Sequence, residues 1–166
     1  MEKMKNMSNM DHSDPMTKGA YAMFALELVL DFVIMYFVMY TMIAGTGELY
    51  LNINNLYMTL MMVAAMAVVM LVTMRSMFPQ PGLNRVMLLA AVAVFAASFA
   101  GMRTQAAVGD AQFLRSMIPH HSGAILMCEQ ASLTDPKVIA LCSQIIPAQK
   151  AEIAQMKAIL QGYSAP

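Results

Sequence analysis

The chain has 166 residues and a formal net charge of zero, with 59% hydrophobic and only 12% charged side chains. A soluble domain of this length has too much surface to cover with so few charges, so a lipid-facing surface is the consistent reading. Balanced charge, without a lysine or arginine stripe on any segment, argues against nucleic-acid binding.

Residues 1–19, MEKMKNMSNMDHSDPMTKG, are polar and lack an apolar stripe, and they read as a disordered, Met-rich cytoplasmic tail. Met1, Met4, Met7 and Met10, with His12 and Met16, form either a loose copper-binding tail or simply a Met-rich terminus. Residues 20–103 then carry three apolar stretches: Tyr21 to Ile43, Leu56 to Met74 and Val86 to Met102. Each approaches the roughly 20 residues that cross about 30 Å of hydrocarbon, so each is read as a transmembrane helix. Glu27 and Asp31 interrupt the first, one turn apart. Carboxylates there face protein, water or an ion, and they mark either a cation route or a span shifted toward an interface.

The connections orient these spans. Lys3, Lys5 and Lys18 precede the first, and Arg75 and Arg85 flank the connection between the second and third, which Pro79, Pro81 and Gly82 mark as a turn. The loop from Gly45 to Asn55 has no basic residue. The positive-inside rule puts the N-terminus and the Arg75–Arg85 connection in the cytoplasm and everything after Arg103 outside, although Arg103 itself runs against that assignment.

Residues 109–161 change character and read as an antiparallel helical hairpin. Asp110 to Ala131 fits one amphipathic helix whose inward face carries Phe113, Met117, His121, Ala124, Met127 and Cys128. Thr134 or Asp135 caps a second helix with Pro136 at its first position, running to about Leu160. Its inward face reads Val138, Leu141, Cys142, Ile145, Gln149, Glu152 and Met156. Pro119 and Pro147 should bend or restart their helices. Folding the pair about Asp135 sets Cys128 level with Cys142, His121 with Gln149, and Met117 with Ile153. Cys128 and Cys142 are open to a disulfide, to thiolate ligation of copper, or to burial as inert thiols.

That register gathers Met117, His120, His121, Gln149, Glu152 and Met156 on one seam, with Met127 as a further soft donor. A carboxylate and an amide on an apolar seam need partners or a metal. Imidazole and thioether together favour a soft ion, with copper as Cu(I) foremost. The same groups can also simply satisfy one another. No nucleotide loop or nucleophile–base arrangement is legible, so the chain reads as a non-enzyme, with copper redox turnover left open.

The stretch GDAQFLRSMIPHHSGAILMCEQA, followed by DPKVIALCSQIIPAQKAEIAQM, closely resembles the bacterial DUF305 family. Its pattern matches at Phe113, Met117, His120, His121, Ala124 and Met127, then at Gln149, Glu152, Ile153 and Met156, from about Gly109 to Met156. The resemblance implies a ferritin-like all-α hairpin that binds copper or a related metal, as some periplasmic members do. Soluble members often carry tandem helical units behind an export signal, whereas this chain has one hairpin behind three spans. It therefore resembles a membrane-anchored branch, and completing a four-helix packing requires a homodimer or another membrane protein. The resulting expectation is a bacterial inner-membrane protein whose periplasmic hairpin binds copper for homeostasis or resistance. A metal-free scaffold subunit and a cation-transporter subunit are the alternatives.

Overall fold

The computed structural model describes residues 15–163, with side chains from Gly19 onward. Five α-helices carry the chain: α1 (Pro15–Val38), α2 (Ile53–Thr73), α3 (Pro81–Thr104), α4 (Asp110–Gln130) and α5 (Pro136–Gly162). Two short 3-10 turns, Met39–Met42 and Thr46–Glu48, lie between α1 and α2. Three stretches, Gly19–Met42, Ile53–Thr73 and Pro81–Thr104, are long and apolar enough to cross a membrane. The methionines at 1, 4, 7 and 10 and His12 lie outside the described residues.

The third span starts earlier than its apolar run suggests. Pro81 and Gly82, read from sequence as turn residues, open α3 instead. Proline suits the first position of a helix, where its missing amide would have had no partner.

The chain packs as two compact units, one comprising residues up to Val33 with Leu60–Ser98, the other Ile34–Thr59 with Phe99 onward. The first unit is built on apolar side chains. Phe24, Ala67, Leu71, Phe78 and Ala91 form its buried cluster. Phe78, from the connection between α2 and α3, sets its ring 5.3 Å from those of both Tyr21 and Phe24. The Tyr21 hydroxyl donates to Asn84 Oδ1 at 2.8 Å and accepts the Gln80 amide at 3.1 Å. Asn84 in turn donates to the Phe78 carbonyl at 2.7 Å. These bonds satisfy a connection whose backbone has no helical partner of its own. On α1, Glu27 is exposed, and Asp31 Oδ2 is buried with no hydrogen-bond partner among the described residues.

The second unit is held by polar cross-links. Asn52 is buried and caps α2, its Oδ1 accepting the Asn55 amide at 2.9 Å. Its Nδ2 donates to the Tyr40 hydroxyl and to the Tyr50 carbonyl, and its amide donates to the Tyr36 hydroxyl. At the end of α3, Gln105 and Ala107 adopt positive φ of 52° and 57°. The Gln105 turn closes the helix, with the Ala106 amide donating to the Gly101 carbonyl at 2.8 Å. The Tyr57 hydroxyl holds the Ala106 carbonyl at 2.7 Å. A Cβ on Gly101 would sit 2.9 Å from the Tyr57 ring, so only glycine allows this approach.

Helices α4 and α5 pack against each other as an antiparallel hairpin, and α4 also packs against both 3-10 turns. Asp135 is the cap of α5, its Oδ1 accepting the Lys137 amide at 2.7 Å, with Pro136 next to it as expected. Each helix runs unbroken through its proline, so neither Pro119 nor Pro147 restarts it.

The expected inward faces require correction. The buried residues of α4 are Leu114, Ile118, Ser122, Gly123 and Ile125, while Phe113 and Met127 are exposed. On α5 they are Ile153, Met156 and Leu160, while Val138, Leu141 and Glu152 are exposed. One residue of offset turns a helix by about 100°, and the branched aliphatic stripe wins because it removes more apolar surface from water than the histidine and amide stripe beside it.

Candidate metal centre

The seam read from sequence therefore runs along the margin of the hairpin core, between the buried stripe and the exposed face. His121 stands there with both ring nitrogens engaged. Its Nδ1 lies 2.9 Å from the Met117 carbonyl one turn back, and its Nε2 lies 2.8 Å from Glu152 Oε2 on α5. The imidazole side chain is 13% exposed and the carboxylate 52%. With an oxygen facing each ring nitrogen, a metal would take Nε2 only in exchange for the Glu152 contact, the Nδ1–Met117 carbonyl contact then orienting the ring.

The other expected donors divide. Met117 is half-buried and packs against the core cluster that contains Met156, which places two thioethers in that cluster. Gln149 is half-buried on α5, and Glu152, one turn further along, is the residue that meets His121. His120 is exposed, its ring 6.0 Å from that of His121 and tilted edge-on to it. Met127 is 55% exposed. Among the described residues, no group of three or more histidine, cysteine, aspartate or glutamate side chains converges on one point. Any metal held here would thus depend on thioethers as well as on the His121–Glu152 pair, a donor set that suits a soft ion better than a hard one.

The two cysteines are joined: Cys128 and Cys142 form a disulfide, with Cα atoms 5.4 Å apart. Of the three readings open at the sequence level this is the one realised, and the simple register about Asp135 placed the pair correctly. It ties the helices together near the turn, and sulfur is thereby removed from the ligand set at this end.

Sequence reasoning missed the residues that fix α4. Ser122 is fully buried, its Oγ accepting the Ala44 amide at 2.7 Å and donating to Glu48 Oε2 at 3.1 Å. Glu48 Oε1 meets Lys157 Nζ of α5 at 3.2 Å. Gln112 Oε1 accepts the Ile53 amide, an N-terminal donor of α2 that the helix cannot satisfy itself, at 3.2 Å. Four side chains therefore fasten both hairpin helices to the segment that joins α1 and α2. The signal available in sequence was weak: a glutamate in an otherwise uncharged loop, and a serine followed by glycine inside an apolar helix.

A family model described as "Domain of unknown function (DUF305)" matches residues 89–160. An uncharacterised protein of Acanthamoeba polyphaga mimivirus is 33% identical over 142 residues, covering 84% of this chain and 91% of the viral protein. That likeness is far longer than the hairpin, so it takes in sequence of the long apolar helices as well. No solved structure matches the chain.

Proposed function

Because this chain belongs to the DUF305 family, we propose that it is a membrane-anchored protein whose hairpin binds copper, as Cu(I), outside the cytoplasm for homeostasis or resistance. The observation that carries this reading is the His121 arrangement. With Nδ1 facing the Met117 carbonyl, Nε2 is directed at the Glu152 carboxylate, and Met117 and Met156 stand one helical turn from His121 and Glu152 respectively. Thioether and imidazole donors stabilise the cuprous ion, and the carboxylate compensates its charge. In this reading His121 supplies the nitrogen donor, Met117 and Met156 the thioethers, and Glu152 the charge partner. Gln149 lies alongside, and His120 and Met127 are free to complete the set from a second copy packed on the exposed face. The Cys128–Cys142 disulfide supports an oxidising compartment for the hairpin, in keeping with the basic residues around the Arg75–Arg85 connection.

The test is a Cu(I) titration of the intact protein in detergent, comparing wild type with His121→Ala and with His120→Ala/His121→Ala. The expected result is the loss of one equivalent together with the nitrogen scattering in its X-ray absorption spectrum. Unchanged affinity in the double variant removes the proposal.

A second reading draws on the same geometry. Both ring nitrogens of His121 already face protein oxygens, so the imidazolium form is fully satisfied without a metal, as in a scaffold hairpin. Under that reading purified protein carries no stoichiometric metal, and His121→Ala lowers hairpin stability without altering copper binding.

A further inference from the structure

Methionines also line a common groove in the first compact unit. Met23 of α1, Met70 of α2, and Met74 and Met77 of the connection that follows line one groove of about 510 Å³, together with Glu27. Met23 and Glu27 are one turn apart on α1, and the amide of Met74, just beyond α2, donates to the Met70 carbonyl at 2.9 Å, so each segment turns two of these groups to the same side. Gly19, Ala20 and Ser76 lie on the same groove, and their short side chains leave it open.

Methionine usually fills irregular gaps inside a packed core. These side chains do not: Met23 is 65% exposed, Met77 53% and Met74 38%. They also gather where α2 ends at Thr73 and the chain turns through Pro79, close to the start of the first apolar stretch, Gly19–Met42. Glu27 is exposed as well, and none of the ion pairs among the described residues engages it. A carboxylate on a spanning helix is costly without a charge partner. A soft monovalent ion bound by neutral thioethers has the opposite need, an uncompensated positive charge. The groove offers both halves of that match.

We propose that this groove is a second soft-metal site, taking Cu(I) through the thioethers of Met23, Met74 and Met77. Met70 stands beside them, and Glu27 supplies the counter-charge. The site shares its ion with the hairpin reading but none of its residues, so either stands if the other fails.

Full-length protein in detergent is titrated with Cu(I) against a chromophoric chelator, and each variant is read as a difference from wild type, which cancels binding by the other methionines. Met23→Leu/Met74→Leu/Met77→Leu conserves side-chain volume. It should lose one equivalent with sulfur scattering while keeping the equivalent that His121→Ala removes. Glu27→Gln should weaken that equivalent by about 10- to 100-fold. As a check that needs no variant, Ag(I) should protect Met23, Met74 and Met77 of wild type from alkylation, read by mass spectrometry. An unchanged stoichiometry in the folded triple variant overturns the site, as does an absence of Ag(I) protection in wild type. Loss confined to the His121→Ala protein refutes this groove and leaves the hairpin standing; loss confined to the triple variant does the reverse.

Discussion

The two compact units are held together by different physics. In the unit that runs to Val33 and from Leu60 to Ser98, aromatic and small aliphatic side chains make the core, and the Tyr21–Asn84–Gln80 bonds are its main polar links. In the unit formed by Ile34–Thr59 and Phe99 onward, a buried asparagine, a buried serine, a part-buried ion pair and a disulfide join separate segments. The contrast follows from solvent. Apolar spans satisfy their backbone internally and leave little to cross-link, whereas irregular segments must find partners for every amide they expose. A perturbation of packing should therefore hurt the first unit most, and a perturbation of a bond the second.

The largest expected effect is Phe78→Ala. The ring is 4% exposed and touches both Tyr21 and Phe24. Its removal should cost about 3 kcal/mol or more, read as lost hydrogen-exchange protection across α1–α3. If protection falls equally in α4 and α5, the division into two units is wrong. Next comes Cys128→Ser with Cys142→Ser. The bridge spans 14 residues, so by loop entropy its loss should cost about 3 kcal/mol, confined to the hairpin and reproduced in wild type by a reductant. Ser122→Ala strands the Ala44 amide and withdraws a donor from Glu48. Denaturant unfolding in micelles should show a loss of about 1–3 kcal/mol, and a neutral result would mean that water replaces the hydroxyl and the cross-link contributes little. The smallest effect has the opposite sign. Ala107 sits at φ 57°, where glycine escapes the left-handed penalty, so Ala107→Gly should raise stability by up to about 1 kcal/mol in the same assay.

Much of the architecture was legible because its signals are local. Three apolar runs, the Asp135–Pro136 cap and the boundaries of both hairpin helices depend on near neighbours in sequence. So does the Cys128–Cys142 pairing, since a short turn between antiparallel helices leaves little freedom of register near the fold-back point. The candidate centre was legible only in part. The meeting of α4 and α5 through His121 and Glu152 came through, but Gln149 was expected opposite His121, and Phe113, Met127, Val138 and Leu141 were expected inside. The error lies in the rotation of each helix about its own axis, since Val138 and Leu141 beside the turn are exposed while Met156 far from it is buried.

Sequence by itself determined that this chain carries three helices long and apolar enough to cross a membrane, followed by a disulfide-compatible helical hairpin, since hydrophobic period and capping residues act over a few positions. Tertiary structure alone decided which stripe of α4 became core. It also decided that Ser122, Glu48, Lys157 and Gln112 would fasten the hairpin to the α1–α2 connection, and that Met23, Met74 and Met77 would share a groove with Glu27. Those outcomes rest on contacts between residues up to 109 positions apart, where only competition among buried areas and unsatisfied polar groups sets the result.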